Sequence, residues 1–252
     1  MVEEYYEKPI PNLDEKRDRK LGYRNYPIEP IEEGYVDVLN LGIAGENYYF
    51  KKFKDEKQET GAIKELFLRK TIAEKLLKIN NKLKKLNLEL FIIDAFRPIE
   101  VQNYMHDIKA PAQLKERHPD WSDEIIMEEV NKFWAFGGTK NGQIDPKSPP
   151  PHSTGAATDI SIREMDTKEQ LNMDAHFDAL SDKSFTDYYE MLGMLNNSAK
   201  EAQKNRRLLY WLMINEGFVN NPTEWWHFSY GDQMWAKLLD KEKAMYTNLT
   251  IK

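Results

Sequence analysis

Two short stretches carry the side chains with which this sequence could do chemistry. The first runs His152-Ser-Thr-Gly155-Ala-Ala-Thr-Asp159, and the second is Glu224-Trp225-Trp226-His227. Together they offer two imidazoles, a carboxylate to complete a ligand set, and one further glutamate. That is the inventory of a catalytic zinc site, in which three protein ligands leave a position for water and a base stands beside it. The chain has five histidines in 252 residues, so two of them falling in such stretches is informative. His152, Asp159 and His227 are therefore candidate ligands for one Zn2+ per chain. Bound zinc lowers the pKa of a water ligand to about 7. Glu224 is the candidate general base, taking that water's proton and returning it to the leaving amine. Arg97, between an apolar run and Pro98, is the candidate stabiliser of an oxyanion through charge-assisted hydrogen bonds. His106, His118 and His176 have no such company and read as surface or satisfied core residues.

The elements that must position these groups follow from periodicity and turn chemistry. Residues 1–34 are polar and punctuated by Pro9, Pro11, Pro27 and Pro30, and read as an extended arm packed on a domain of residues 35–252. Over residues 62–86, Leu66, Ala73, Leu76, Leu77 and Leu83 keep helical spacing with lysines opposite, which predicts a long amphipathic helix whose lysines are solvated. Residues 88–93 have strand length and end at Asp94-Ala-Phe-Arg97-Pro98. Ser122 has the character of an N-cap. Residues 137–151 read as a surface loop. Pro149-Pro150-Pro151 stiffens the approach to His152, and Gly155 permits a turn before a strand over 157–162, with Asp159 and Ser161 on one face. A helix over 198–216 stops at Gly217. Residues 218–229 predict a closing strand pair that carries His227, and Asp232 caps a short last helix. Residues three apart on a regular strand face opposite sides, so Glu224 must lie on a loop or bulge to share a site with His227. The whole reads as α+β in a single domain, a small mostly antiparallel sheet with flanking helices.

Composition narrows the function classes. Lys plus Arg number 36 against 42 Asp plus Glu, a net charge of −6, which gives no reason to expect nucleic acid or an anionic membrane as partner. There is no cysteine, hence no disulfide and no thiolate ligand, so zinc must be held by His and carboxylate. No apolar run approaches the roughly 18 residues of a membrane span. The start has neither a basic nor an apolar signal region, so a cytoplasmic location is expected, or a periplasmic one if a signal peptide has been removed. No feature of the sequence bears on oligomeric state.

The set Asp94-x-x-Arg97-Pro98, His152-x-x-Gly155-x-x-x-Asp159 and Asn221-Pro-Thr-Glu224-Trp-Trp-His227-Phe resembles the D-alanyl-D-alanine dipeptidases, the group that includes the vancomycin-resistance enzymes. Agreement runs from about Tyr35 to Ala236, through Asn205-Arg-Arg-Leu-Leu and Gly231-Asp-Gln-Met-Trp235. The resemblance implies a zinc peptidase fold shared with D,D-peptidases and Hedgehog-like proteins, and hydrolysis of D-Ala-D-Ala, a small dipeptide substrate. By position, His152, Asp159 and His227 match the family's zinc ligands, Glu224 its base and Arg97 its transition-state arginine. Phe177-Asp178 resembles the family's Phe-Asp, which makes Asp178 the candidate partner of the substrate ammonium. Two departures stand beside the motifs: Pro150 replaces the usual serine two residues before the first zinc histidine, and Phe96 replaces the usual tyrosine before the arginine. Neither touches the ligand set or the base, so they bear on substrate grip. Two alternatives follow from the same residues: a D,D-carboxypeptidase or endopeptidase on longer peptidoglycan stems, and a zinc-stabilised binding module without catalysis. Retention of both Glu224 and Arg97 speaks against the latter, because neither is needed to hold zinc.

Overall fold

The computed structural model describes residues 2–55, 60–133, 136–137, 145–179 and 181–251. Among them the strands are β1 (Tyr35–Asp37), β2 (Ala44–Gly45), β3 (Phe67–Arg69), β4 (Leu88–Asp94), β5 (Ala157–Glu164), β6 (Val219–Asn220) and β7 (His227–Ser229). The α-helices are α1 (Asp14–Lys20), α2 (Tyr48–Lys52), α3 (Lys70–Leu83), α4 (Ile99–Tyr104), α5 (Ala110–Arg117), α6 (Asp123–Phe133), α7 (Asn197–Asn215) and α8 (Gln233–Leu238). The main sheet has the order β2-β4-β5-β7-β6; β2 runs parallel to β4 and the other neighbours are antiparallel. β1 and β3 form a separate antiparallel pair. The fold is α+β, with a mostly antiparallel sheet and flanking helices. Among the described residues no helix is long and apolar enough to cross a membrane.

β4 is central and covered on both sides, with every residue but Phe91 buried, which is why it is apolar at successive positions. α3 turns Ile72, Leu76, Ile79 and Leu83 into the core, all fully buried, and the Asn80 side chain accepts from the Leu90 amide at 2.8 Å, tying helix to strand. α7 adds Leu208, Leu212 and Met213 to the same core. Each such side chain contributes about 1.5–3 kcal/mol by leaving water. Along β5 all of Ala157–Ile162 is buried. The alternation read in the sequence therefore separates a core face from a polar face that is itself enclosed.

Two elements differ from the sequence reading. The helix expected over 62–86 begins only at Lys70: Leu66 fits the helical spacing, but with Leu68 two residues on it also fits the period of a strand. Phe67–Arg69 is strand, and its backbone bonds go to site loops: Phe96 N donates to Phe67 O and Arg69 N to Gly155 O, both at 2.9 Å. The arm is not extended throughout, since Asp14–Lys20 is helical. Ile10 and Leu13 bury against Tyr210 of α7, and Arg17 pairs with the fully buried Asp187. Of the loop expected over 137–151, residues 138–144 lie outside the described residues, while Pro149, Pro150 and Pro151 are buried rather than on the surface.

Candidate active site

The site forms where β4, β5 and β7 end together. Asp159 of β5 lies directly opposite His227 of β7, and side chains at opposite positions of antiparallel strands stand about 5 Å apart on one face. A register shift between Ile92 and Asp94 brings Asp94 opposite Asp159 on the other side. His152 arrives from a 3-10 turn, Pro151–Thr154, that precedes β5. Gly155 makes that entry possible: its φ is +66°, and a Cβ there would come within 2.7 Å of Leu249 Cδ2. The left-handed backbone is what favours glycine here, and any side chain would in addition have to displace the Leu249 methyl.

Three donor atoms converge. His152 Nε2 lies 3.1 Å from His227 Nδ1 and 3.3 Å from Asp159 Oδ2, and His227 Nδ1 lies 3.1 Å from Asp159 Oδ1. His152 Nδ1 donates to the Ala95 carbonyl at 2.8 Å, which leaves Nε2 with its lone pair toward the others. His227 Nε2 stands 3.3 Å from Ser229 Oγ, and with that nitrogen donating, Nδ1 also presents a lone pair. Two lone pairs and a carboxylate held face to face repel unless a cation lies among them. Ligand bonds of about 2.0–2.1 Å in tetrahedral geometry separate donors by about 3.3 Å, so the spacing fits one small metal ion. The outer bonds to Ala95 and Ser229 are of the kind that fix tautomer and ring orientation in metal-binding histidines. His152, Asp159 and His227 form a buried group able to hold a metal ion.

Electrostatics tie the set together. Burial alone would raise the pKa of Asp159, but His152 and His227 outweigh it and hold the carboxylate well below its usual range. Burial would lower the pKa of His152, and Asp159 outweighs that, so the imidazole titrates above its usual value. A proton and a metal ion would compete for the same nitrogen.

Glu224 lies in the turn between β6 and β7, off the regular ladder. The Asn220 side chain closes this turn by donating to the Glu224 and His227 carbonyls, each at 3.1 Å. That folds Glu224 back so that Oε2 stands 3.6 Å from His227 Nδ1. Trp225 and Trp226 are almost fully buried, and Trp226 also lines the cleft, so the pair serves as core and as wall.

Arg97 is buried, its Nε donating to Asp94 Oδ2 at 2.9 Å and its Nη1 to Gln102 Oε1 at 2.8 Å. Its Nη2 lies 3.5 Å from Asp159 Oδ2, and the guanidinium sits 4.3 Å from the Tyr49 ring centre. Burial would lower its pKa, but Tyr49, Asp94 and Asp159 more than reverse this, so it is a permanent cation. Asp178 lies on the cleft wall with φ +64°, on a segment held by Phe177 packing edge-on to Trp226 at 5.5 Å. Burial raises its pKa while Lys52, 3.6 Å away, opposes the rise. His152, Asp159, His227, Glu224, Arg97 and Asp178 all line one cleft of about 350 Å³, and Pro150 lines it too.

Sequence reasoning did not find Gln102 or Tyr49, which hold Arg97, or Ser229, which steadies His227. It also missed Lys20, Tyr23 and Arg24, which bring the arm into the cleft. His106 bonds Asp107 and the cleft-lining Asn131, and His118 stacks on Trp121; neither histidine itself lines the cleft.

The family described as D-ala-D-ala dipeptidase, a peptidase family, matches residues 47–246. The chain belongs to this family. A D-alanyl-D-alanine dipeptidase of Synechocystis sp. is 35% identical over 159 residues, 59% of this chain and 62% of that protein. One from Enterococcus faecium is 29% identical over 163 residues, 64% of this chain and 72% of the relative. One from Escherichia coli is 36% identical over 77 residues, 31% of this chain and 36% of the relative. The match leaves residues 1–46, including α1, outside it.

Proposed function

We propose that this protein is a zinc-dependent dipeptidase that hydrolyses D-alanyl-D-alanine or a closely related small D,D-dipeptide to free amino acids. The observation that carries the reading is the convergence of His152 Nε2, Asp159 and His227 Nδ1 with Glu224 Oε2 only 3.6 Å from His227. His152, Asp159 and His227 would hold the zinc, which would supply Lewis-acid polarisation and lower the pKa of a water ligand toward neutrality. Glu224 takes the proton from the attacking water and delivers it to the leaving amine as the C–N bond breaks. Arg97, fixed by Asp94 and Gln102, faces the negative charge that develops on the peptide oxygen. Asp178 takes the substrate ammonium. A cleft of about 350 Å³ is at the small end of ligand pockets, which run from about 300 to 1,000 Å³, and this favours a dipeptide over a long stem peptide.

The test is release of free D-alanine from D-Ala-D-Ala by zinc-loaded protein, with and without a chelator. Activity abolished by the chelator and restored by zinc supports the reading. Faster release from a stem pentapeptide would make it a carboxypeptidase instead. Zinc binding with no hydrolysis of either substrate would leave a binding module.

A further inference from the structure

Three cations line the cleft from its described walls, and they are not equivalent. Arg97 is neutralised by Asp94, which its Nε and Nη2 both meet, and is oriented by Gln102. Arg24 has each of its three nitrogens engaged by a backbone carbonyl, those of Ser148 and Phe136. Lys20 differs. Among the described residues its ammonium is held by two neutral oxygens, Asn221 Oδ1 at 2.8 Å and Thr223 Oγ1 at 3.1 Å, and no carboxylate forms an ion pair with it. An ammonium has three donors, so one remains. A partly buried cation with no carboxylate in contact is costly, and that cost falls when a ligand brings one.

Its placement is rigid. Lys20 is the last residue of α1, and α1 is clamped to the domain. Arg17 donates to both oxygens of Asp187, at 2.8 and 3.1 Å, the Leu13 amide bonds the same carboxylate at 2.8 Å, and Arg19 reaches the Lys237 carbonyl at 3.0 Å. Within the cleft the lysine is bonded to the Asn221–Thr223 turn, whereas Asp178 lies on the Phe177 segment and pairs with Lys52 behind it. Glu224 lies within electrostatic reach of both. The cleft therefore presents a carboxylate on one wall, a cation on another, and the candidate base within range of each. A dipeptide carries the complementary pair, an ammonium and a carboxylate at the ends of a span of about 7 Å when extended.

We propose that Lys20 receives the C-terminal carboxylate of the substrate, so that the arm, which lies outside the family match, selects short zwitterionic peptides with a free carboxyl end. The inference rests on the dipeptidase reading above. It also accounts for a cleft that has Pro150, with no N–H and no hydroxyl, in its lining: the donor comes from another segment.

The experiment compares D-Ala-D-Ala with its C-terminal amide on the zinc-loaded full chain, for the wild type, Lys20→Met and Lys20→Arg. The wild type should prefer the acid. Lys20→Met should raise KM for the acid about 10- to 100-fold, the scale of one lost charge-assisted hydrogen bond. Its kcat should move far less, its KM for the amide should hardly change, and Lys20→Arg should recover most of the acid preference. A merely structural lysine would alter acid and amide alike. A wild type that turns over the acid and shows no preference over the amide overturns the role of Lys20, whether or not the variants fold, and leaves the dipeptidase reading standing. So does a folded Lys20→Met protein with wild-type KM and selectivity. A wild type that releases no D-alanine at all refutes the dipeptidase reading itself, and this inference with it.

Discussion

The floor of the cleft and its rim are built in contrasting ways. On the floor, His152, Asp159 and His227 are 5%, 2% and 4% exposed, and their positions follow from strand register, one bulge and one glycine turn. On the rim, Lys20, Tyr23 and Arg24 come from a polar arm whose seven-residue helix is docked by side-chain ion pairs and a few apolar contacts. The floor can hold charge close together because backbone geometry leaves it no other arrangement. The rim can change its side chains without disturbing the sheet. A protein built this way separates the chemistry it performs from the molecule it performs it on.

This contrast can be broken by substitution. The largest effect is expected on the floor: His227→Ala should retain no zinc after dialysis and show no turnover, measured by metal analysis and D-alanine release. Arg97→Lys comes next. It keeps the charge but loses the fork that Asp94 and Gln102 grip, so kcat should fall about 10²- to 10³-fold with zinc content unchanged. Ser229→Ala should weaken zinc binding about 10-fold or more, read by chelator competition, while the saturated enzyme turns over nearly as before. Arg17→Met, on the rim, should lower stability by about 1–3 kcal/mol in denaturant unfolding because the fully buried Asp187 loses its cation. Equal losses of zinc from Arg17→Met and His227→Ala would erase the distinction between floor and rim.

Acidity sharpens the same comparison. Burial disfavours the charged His152 imidazole, but Asp159 prevails and raises its pKa above the usual 6.5. A raised pKa means the proton is held more tightly, so zinc must displace it at every pH up to a point that lies above 6.5. Apparent zinc affinity should therefore climb as pH rises through neutrality. An affinity that stays flat between about pH 6 and pH 8 would show that His152 is not titrating against the metal.

The floor was legible in the sequence because its chemistry is local. His152 and Asp159 are joined by one turn and one strand, and the three-residue offset of Glu224 from His227 itself required the turn that Asn220 closes. The start of α3 was not legible. Leu66, Ala73 and Leu76 satisfy helical spacing, while Leu66 with Leu68 satisfies the strand period of two. Only the bonds from the Phe96 and Arg69 amides decide between them. Lys20 left no trace at all. Its run, Asp14-Glu-Lys-Arg-Asp-Arg-Lys20, reads as any solvated helix, and its place in the cleft depends on Asp187, more than 160 residues away along the chain. Gln102 and Tyr49 were hidden for the same reason, since their contacts to Arg97 are made by tertiary packing.

The most direct measurement takes Glu224→Gln through metal analysis and D-Ala-D-Ala hydrolysis side by side. A carboxylate that moves protons beside a ligand set, without belonging to it, predicts one zinc per chain and turnover reduced by about 10²- to 10⁴-fold. Wild-type turnover in the zinc-loaded variant, or a variant that can no longer hold zinc, would contradict the account.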